Sequence, residues 1–400
     1  VPGTLAWRLQ IATLAHRKFF NIFGQDQETA DLIGKPYVEG TFNAYNVNDF
    51  IKYVQAVGYA PGSGTVIPRI LGAMERAGLL MSAGWTQGYP MLGQQYITQG
   101  VPSRQNQGNL WLSEVLGPDL IIESYKAVTV QISGGDDAPW GTGLILDESH
   151  VLTNKHVLMK LAKGGYPLQI HVRFGAPWEG SQKIMAVMHK DIDVAVLRVE
   201  PPNDGCFFPL PGMVFRDPAW ADEVYLLGYP RVPWMVGSDI ILQRGEVVNP
   251  LAEAPPVRER DSDPWDIPER TKMFLYSAIA RPGNSGGPII AHDGRVIGIV
   301  VEDSMAASSS DPDNDSQPKS QERFPTLKAA LGECLGLVRC TPNQSTEQQA
   351  ESAKLPKSAP FYRGIPPSEI RRALRELDEL DEANSLNLDG LIVIEDPLNL

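Results

Sequence analysis

The chain has 400 residues, 42% of them hydrophobic and 21% charged, with a formal net charge of -13. This composition suits a globular protein of two or three domains at roughly 100–200 residues each, and its acidity argues against nucleic-acid or anionic-membrane binding as the main activity. Cys206, Cys334 and Cys340 are too few, and odd in number, for a disulfide framework. Arg8, His16, Arg17 and Lys18 break up the apolar residues of the N-terminus, and no run approaches the ~18 apolar residues of a membrane span. A cytoplasmic protein without a membrane segment is therefore expected.

Charge divides the chain into three regions. Residues 1–122 carry eight basic and eight acidic side chains, residues 123–340 are net -8, and residues 341–400 are net -5. In the first region, helical spacing runs from Leu5 to Phe23 and stops at Gly24. A second helix is predicted over Val47–Val57, a third over Ile67–Leu80, and a small hairpin over Gln87–Thr98. Three helices and a hairpin outline a winged helix, and RILGAMERAGLL resembles the third helix of such domains. Only Arg69 and Arg76 are basic around that helix, fewer than a groove-entering helix normally brings. Residues 1–121 are thus expected to be a docking or regulatory domain that binds protein rather than DNA.

From Tyr125 onward the chain is a series of short β-rich runs separated by Gly, Pro and Asp: AVTVQI, GTGLILD, HVLTNKHVL, LQIHVRF, DVAVLRV, EVYLLGY, DIILQRGEVV, KMFLYSA, GPIIA and RVIGIVV. Such spacing predicts a sandwich or barrel over residues 122–340. Two polar insertions, Ala252–Lys272 and Ser304–Glu322, interrupt it, and a helix over Leu327–Leu337 closes it. The third region, 341–400, is a polar linker, Thr341–Pro360, and a tail with an amphipathic helix starting near Ser368.

Chemistry concentrates in Arg281-Pro-Gly-Asn-Ser-Gly-Gly-Pro288. Glycines at 283, 286 and 287 let the backbone turn tightly around Ser285. A serine hydroxyl is a weak nucleophile that needs a base, and a developing oxyanion needs fixed donors, for which the amides of Gly283 and Ser285 are the candidates. His156, after the strand VLTNK, supplies a base. Asp193, opening the run DVAVL, supplies the carboxylate that would hold the imidazole, with Asp191 as its rival. The order His156, Asp193, Ser285 excludes the α/β-hydrolase reading of GNSGG, which needs the acid and then the histidine after the serine. The six histidines form no metal-binding spacing and no P-loop occurs, so no cofactor or metal is expected.

GTGLILD, HVLTNKHV, DVAVLRV, RPGNSGGPI and RVIGIV together resemble the trypsin-like serine proteases, in particular the HtrA/DegP branch. The resemblance spans roughly residues 122–338. It implies a mainly β fold of two six-stranded antiparallel β-barrels, preceded here by the helical domain and followed by the helical tail. It also implies His156 as general base, Asp193 as orienting carboxylate, Ser285 as nucleophile, and Gly283 with Ser285 as oxyanion hole. Substrate contacts would fall at Ile279, Val301, Glu302 and Asp303, the last two favouring basic side chains. No PDZ domain fits in the tail. Asn284 replaces the aspartate that pairs with a newly cut N-terminus in digestive zymogens, so activation without such a cut is expected. The expected function is an intracellular serine endopeptidase acting on protein or peptide substrates. It would be controlled by a protein partner through residues 1–121 or the tail, as in bacterial defence systems. The rival reading is a catalytically silent protease fold serving as an adaptor or DNA-bound regulator.

Overall fold

Thr4, Asp26 and Asn46 start three helices by one device: each side-chain oxygen accepts an N–H from the first turn, at 3.3, 2.8 and 2.9 Å. The helices are α1 (Leu5–Leu14), which continues as a π turn over Ala15–Phe19, α2 (Gln27–Ile33) and α3 (Val47–Ala56). The computed structural model describes residues 1–41, 43–88, 92–100, 103–135, 140–172, 184–199, 207–232, 239–254, 270–301, 361–380, 388 and 390–395.

Helix α4 (Val66–Arg76) follows, then strands β1 (Leu80–Trp85) and β2 (Gln94–Thr98) in antiparallel register, Leu80 opposite Thr98. Leu80, predicted to be helical, is strand instead. Gly78, at φ +70°, ends the helix, and the Leu79 N–H caps it by donating to the Met74 carbonyl at 2.9 Å. The apolar faces of these elements meet around Ile11, Phe19, Phe50 and Leu71, all fully buried. Short helices α5 (Ser113–Leu116) and α6 (Pro118–Tyr125) lead out of this region.

The β-rich region contains two sheets. The first is built from β3 (Thr129–Ser133), β4 (Trp140–Ile145), β5 (His150–Thr153), β6 (Gln169–His171), β7 (Ile184–Met188) and β8 (Ala195–Val199), with α7 (Lys155–Lys163) after β5. Its order is β6-β3-β4-β5-β8-β7. The second contains β9 (Glu223–Gly228), β10 (Ile241–Ala254), β11 (Thr271–Tyr276), β12 (Pro288–Ala291), β13 (Val296–Val301) and β14 (Tyr362–Ile365), and it closes as β10-β11-β14-β13-β12-β9.

This corrects the expected fold class. Only the second sheet is a closed six-stranded barrel. The first stays open because its outer strands β6 and β7 pair only with β3 and β8 among the described residues. Nor is the chain mainly β, since helix and strand are about equally represented among the described residues. The strand β14 was not foreseen: it comes from the tail and slots between β11 and β13, with Gly364 opposite both Phe274 and Val300. Helix α8 (Pro367–Leu380) follows it directly and buries Ile370, Ala373, Leu374 and Leu377.

A buried ion network sits between β12 and the segment before β9. Arg216 gives Nη1 and Nη2 to Asp222 at 2.7 and 2.8 Å, and Nε to Asp293 at 2.7 Å. Arg295 adds a contact to Asp293 at 3.0 Å. Burial alone would raise the Asp293 carboxyl, but Arg216 and Arg295 hold it below its ordinary range. The helix predicted over Leu327–Leu337, the Ser304–Glu322 insertion and all three cysteines lie outside the described residues. Among the described residues no helix is long and apolar enough to cross a membrane.

Candidate active site

The histidine is placed by the end of β5 and the start of α7. Thr153 is fully buried and its hydroxyl donates to the Thr142 carbonyl on β4 at 2.8 Å. Asn154, also buried, donates its side-chain N–H to the Asp193 carbonyl at 2.8 Å. His156 therefore stands in the first turn of α7, where free backbone N–H groups favour a carboxylate. Asp193 meets it there twice: its Oδ1 accepts the His156 backbone N–H at 2.9 Å, and its Oδ2 accepts from Nδ1 at 2.6 Å. A carboxylate accepts and does not donate, so the neutral tautomer that suits this contact carries its proton on Nδ1 and its lone pair on Nε2. Nε2 is buried and has no hydrogen-bond partner among the described residues. Asp191, the rival carboxylate, is exposed, with its Oδ2 3.6 Å from Lys190 Nζ.

Ser285 is 1% exposed. Its carbonyl accepts the Thr142 N–H at 2.8 Å, and the Gly286 N–H donates to Val300 at 3.0 Å. Gly286 has φ +82°, and a Cβ there would lie 2.2 Å from the Thr142 carbonyl oxygen and 2.4 Å from the Thr153 hydroxyl. Only glycine lets this turn press against the residues leading into His156. The structure thus packs the turn after Ser285 against Thr142, Thr153 and Asn154, the residues that lead into α7.

The carbonyls of the loop 281–285 are all anchored. Arg281 accepts from the Asn284 N–H at 2.9 Å, Pro282 from the Arg231 N–H at 3.0 Å, and Asn284 from the Gly287 N–H at 2.9 Å. Gly283 accepts from the Thr142 hydroxyl at 2.7 Å. In a trans peptide the N–H points opposite to the carbonyl before it. Anchoring Pro282 and Asn284 therefore turns the Gly283 and Ser285 N–H groups away from those anchors, as donors for a negative charge would have to be. The Asn284 side-chain amide is buried, with neither heteroatom paired among the described residues.

Four residues that the sequence did not single out build this loop's cradle. Trp140 Nε1 donates to the Tyr229 carbonyl at 2.7 Å, and the Thr142 hydroxyl accepts the Tyr229 N–H at 3.0 Å. The Arg231 guanidinium lies 4.2 Å from the centroid of the Trp140 ring. Gly283, at φ +101°, fits only because it lacks a Cβ, which would fall 2.4 Å from the Tyr229 carbonyl oxygen. The signal in the sequence was present but unread: Trp140 and Thr142 flank the glycine of the first strand motif, and Tyr229-Pro-Arg follows EVYLLG.

Of the expected substrate contacts, Ile279 is 47% exposed six residues before Ser285, and Val301 is buried at the end of β13 opposite Arg363. Glu302 and Asp303 lie outside the described residues.

Residues 141–299 match the family described as the trypsin-like peptidase domain. Protease Do-like 1, chloroplastic, of Arabidopsis thaliana is 28% identical over 226 residues, covering 55% of this chain and 47% of that protein. A periplasmic serine endoprotease DegP-like protein of Chlamydia muridarum is 27% identical over 164 residues, covering 41% and 28%. The chain thus spans about half, or less, of the length of these relatives. Among solved structures, the active form of the Rv3671c protease of M. tuberculosis overlaps with a TM-score of 0.40 at 19% identity, covering 65% of this chain and 87% of that one. The serine endoprotease of Yersinia pestis overlaps with a TM-score of 0.36 at 16% identity, covering 70% and 69%.

These relatives overturn the cytoplasmic placement. Their names put them in a chloroplast and a periplasm. Sparse cysteines were a weak guide, because an oxidising compartment permits disulfides without requiring them. The strand motifs and the family match place a trypsin-like peptidase domain at residues 141–299, and the chain is similar to the HtrA/DegP proteins.

Proposed function

We propose that the chain is a serine endopeptidase that cleaves protein or peptide substrates through an acyl-enzyme on Ser285. The observation that carries this reading is the 2.6 Å contact between His156 Nδ1 and Asp193, which leaves Nε2 without a hydrogen-bond partner among the described residues. In the reaction, Ser285 Oγ attacks the scissile carbonyl carbon as Nε2 takes the hydroxyl proton. Asp193 stabilises the imidazolium that results. The Gly283 and Ser285 N–H groups receive the charge that develops on the carbonyl oxygen. Collapse of the tetrahedral species expels the amine, which takes the proton from His156. Water, deprotonated by the same imidazole, then releases the acid and restores Ser285.

Residues 1–121 and the tail are read as regulatory parts that receive a protein partner. The neutral charge balance of the N-terminal region supports a protein over duplex DNA. A defence role is drawn by analogy with other fusions of such a region to a peptidase. Activation needs no N-terminal cut, because a buried ammonium next to Asn284 would have no counter-charge.

A fluorophosphonate probe tests the reading. The full-length chain, shown by mass spectrometry to be uncut, should be labelled on Ser285, and Ser285→Ala should lose labelling and lower peptide cleavage by about 10⁴–10⁶. Full cleavage activity in purified Ser285→Ala would sink the assignment.

A further inference from the structure

Helix α8 reaches the turn that carries Asp193 through one buried side chain. His189 follows β7, and its side chain is 2% exposed. Its Nδ1 accepts the backbone N–H groups of Ile192 at 2.9 Å and Asp191 at 3.2 Å. An atom that receives two N–H groups carries no proton of its own, so the imidazole is neutral and its proton sits on Nε2. Nε2 donates that proton to Glu376 Oε2 on α8, at 2.8 Å. This bond is the main reason the Glu376 carboxyl lies below its ordinary range, with Arg372 and Lys190 adding to it.

The turn is held at three further points. The His189 N–H donates to the Val194 carbonyl at 3.0 Å. Lys155 Nζ donates to the Lys190 carbonyl at 2.6 Å, and Asn154 Nδ2 to the Asp193 carbonyl at 2.8 Å. The two amides gathered by His189 belong to the residues immediately before Asp193. Their direction therefore sets the direction in which Asp193 leaves the turn, and Asp193 must give both carboxylate oxygens to His156.

We propose that Glu376 and His189 are positioning residues for the catalytic acid: α8 fixes the imidazole, the imidazole fixes the 191–192 amides, and these aim Asp193 at His156. The proposal rests on the triad reading given above. It makes the C-terminal segment a lever on the acid, since α8 begins directly after β14.

The test is the pH dependence of the fluorophosphonate labelling rate in full-length Glu376→Ala, Glu376→Gln and His189→Asn. Glu376 is partly exposed on its helix, so its truncation spares the fold. Asn keeps an acceptor where Nδ1 stood but loses the reach to Glu376. Glu376→Ala and His189→Asn should label on the order of tenfold more slowly, as expected when a reacting group is misplaced by a fraction of an ångström. The acid limb should move to lower pH, because a loosely held Asp193 stabilises the imidazolium less. Glu376→Gln still offers an oxygen to Nε2–H and should recover most of the rate. Wild-type rates with an unmoved acid limb in Glu376→Ala and His189→Asn overturn the proposal. So does a slowing that only follows the fraction unfolded in a thermal melt. Failure of the wild-type chain to label at all would instead count against the catalytic reading itself.

Discussion

The Thr142 hydroxyl donates to the Gly283 carbonyl at 2.7 Å and accepts the Tyr229 N–H at 3.0 Å, so one side chain on β4 ties together two segments that lie far apart in sequence. Removing it frees the peptide that follows Gly283. Thr142→Val keeps the shape and loses both bonds. We expect kcat/KM to fall about tenfold to a hundredfold, mostly in kcat, which is less than the direct loss of an oxyanion donor. Thr142→Ser should retain most of the activity. Steady-state kinetics on the two variants check this.

Trp140 and Arg231 act on the same loop from outside. Arg231→Ala removes the guanidinium from the Trp140 ring while leaving the backbone N–H that holds Pro282. The loss of stability should be about 0.5–1 kcal/mol, typical of an exposed cation–π contact. Trp140→Phe keeps a ring under Arg231 but loses the bond to Tyr229. It should slow fluorophosphonate labelling more than it lowers the melting temperature. Equal effects of both substitutions on labelling would contradict this division of roles.

The Arg216 network should dominate the stability of the barrel. Arg216→Met would leave Asp222 without its main counter-charge and Asp293 with Arg295 alone. Breaking a buried ion pair on one side costs about 3–5 kcal/mol, measurable by urea unfolding. The pH dependence has a definite sign. Asp293 titrates below its ordinary value of 3.8 in the folded chain, so its contribution is present above that value and is lost as the pH falls through the lower folded one.

His16 gives the N-terminal region an acid sensitivity of the same sign that sets in at higher pH. Burial, the largest influence, lowers its pKa below the ordinary 6.5, although its Nε2 lies 2.9 Å from the Gln99 carbonyl. The unfolded chain then takes up a proton before the folded one does, so stability falls as the pH drops below about 6.5. His16→Gln can still donate to Gln99 and should flatten this dependence. Thermal melts of both proteins between about pH 5 and 8 provide the comparison.

What the sequence made legible was local. HVLTNKHV reads as a strand ending at the histidine, and β5 lies there, although the helix α7 that bears His156 was not foreseen. Of the two carboxylates, Asp193 is the one that contacts His156. What it hid was non-local. The bond from Thr142 to Gly283 spans 141 residues and that from Trp140 to Tyr229 spans 89, so neither leaves a spacing to read. Closure of a sheet depends on which edges meet, and nothing in LQIHVRF indicates that β6 stays an edge. YRGI is too short and too polar, with Arg363 and Gly364 at its centre, to announce a barrel strand. The helix boundary near Leu80 failed for a simpler reason: apolar residues continue past Gly78 into the hairpin.

Strand β14 also dictates an order of birth. Its neighbours β11 and β13 are complete by Val301, yet the strand that joins them begins only at Tyr362. On a ribosome emitting about 5–20 residues per second, the nascent chain passes several seconds with both edges unsatisfied and the barrel unsealed. The helix that carries Glu376 emerges later still. The barrel therefore cannot close until synthesis has passed Ile365, so translation itself sets the earliest moment at which its strand order is complete.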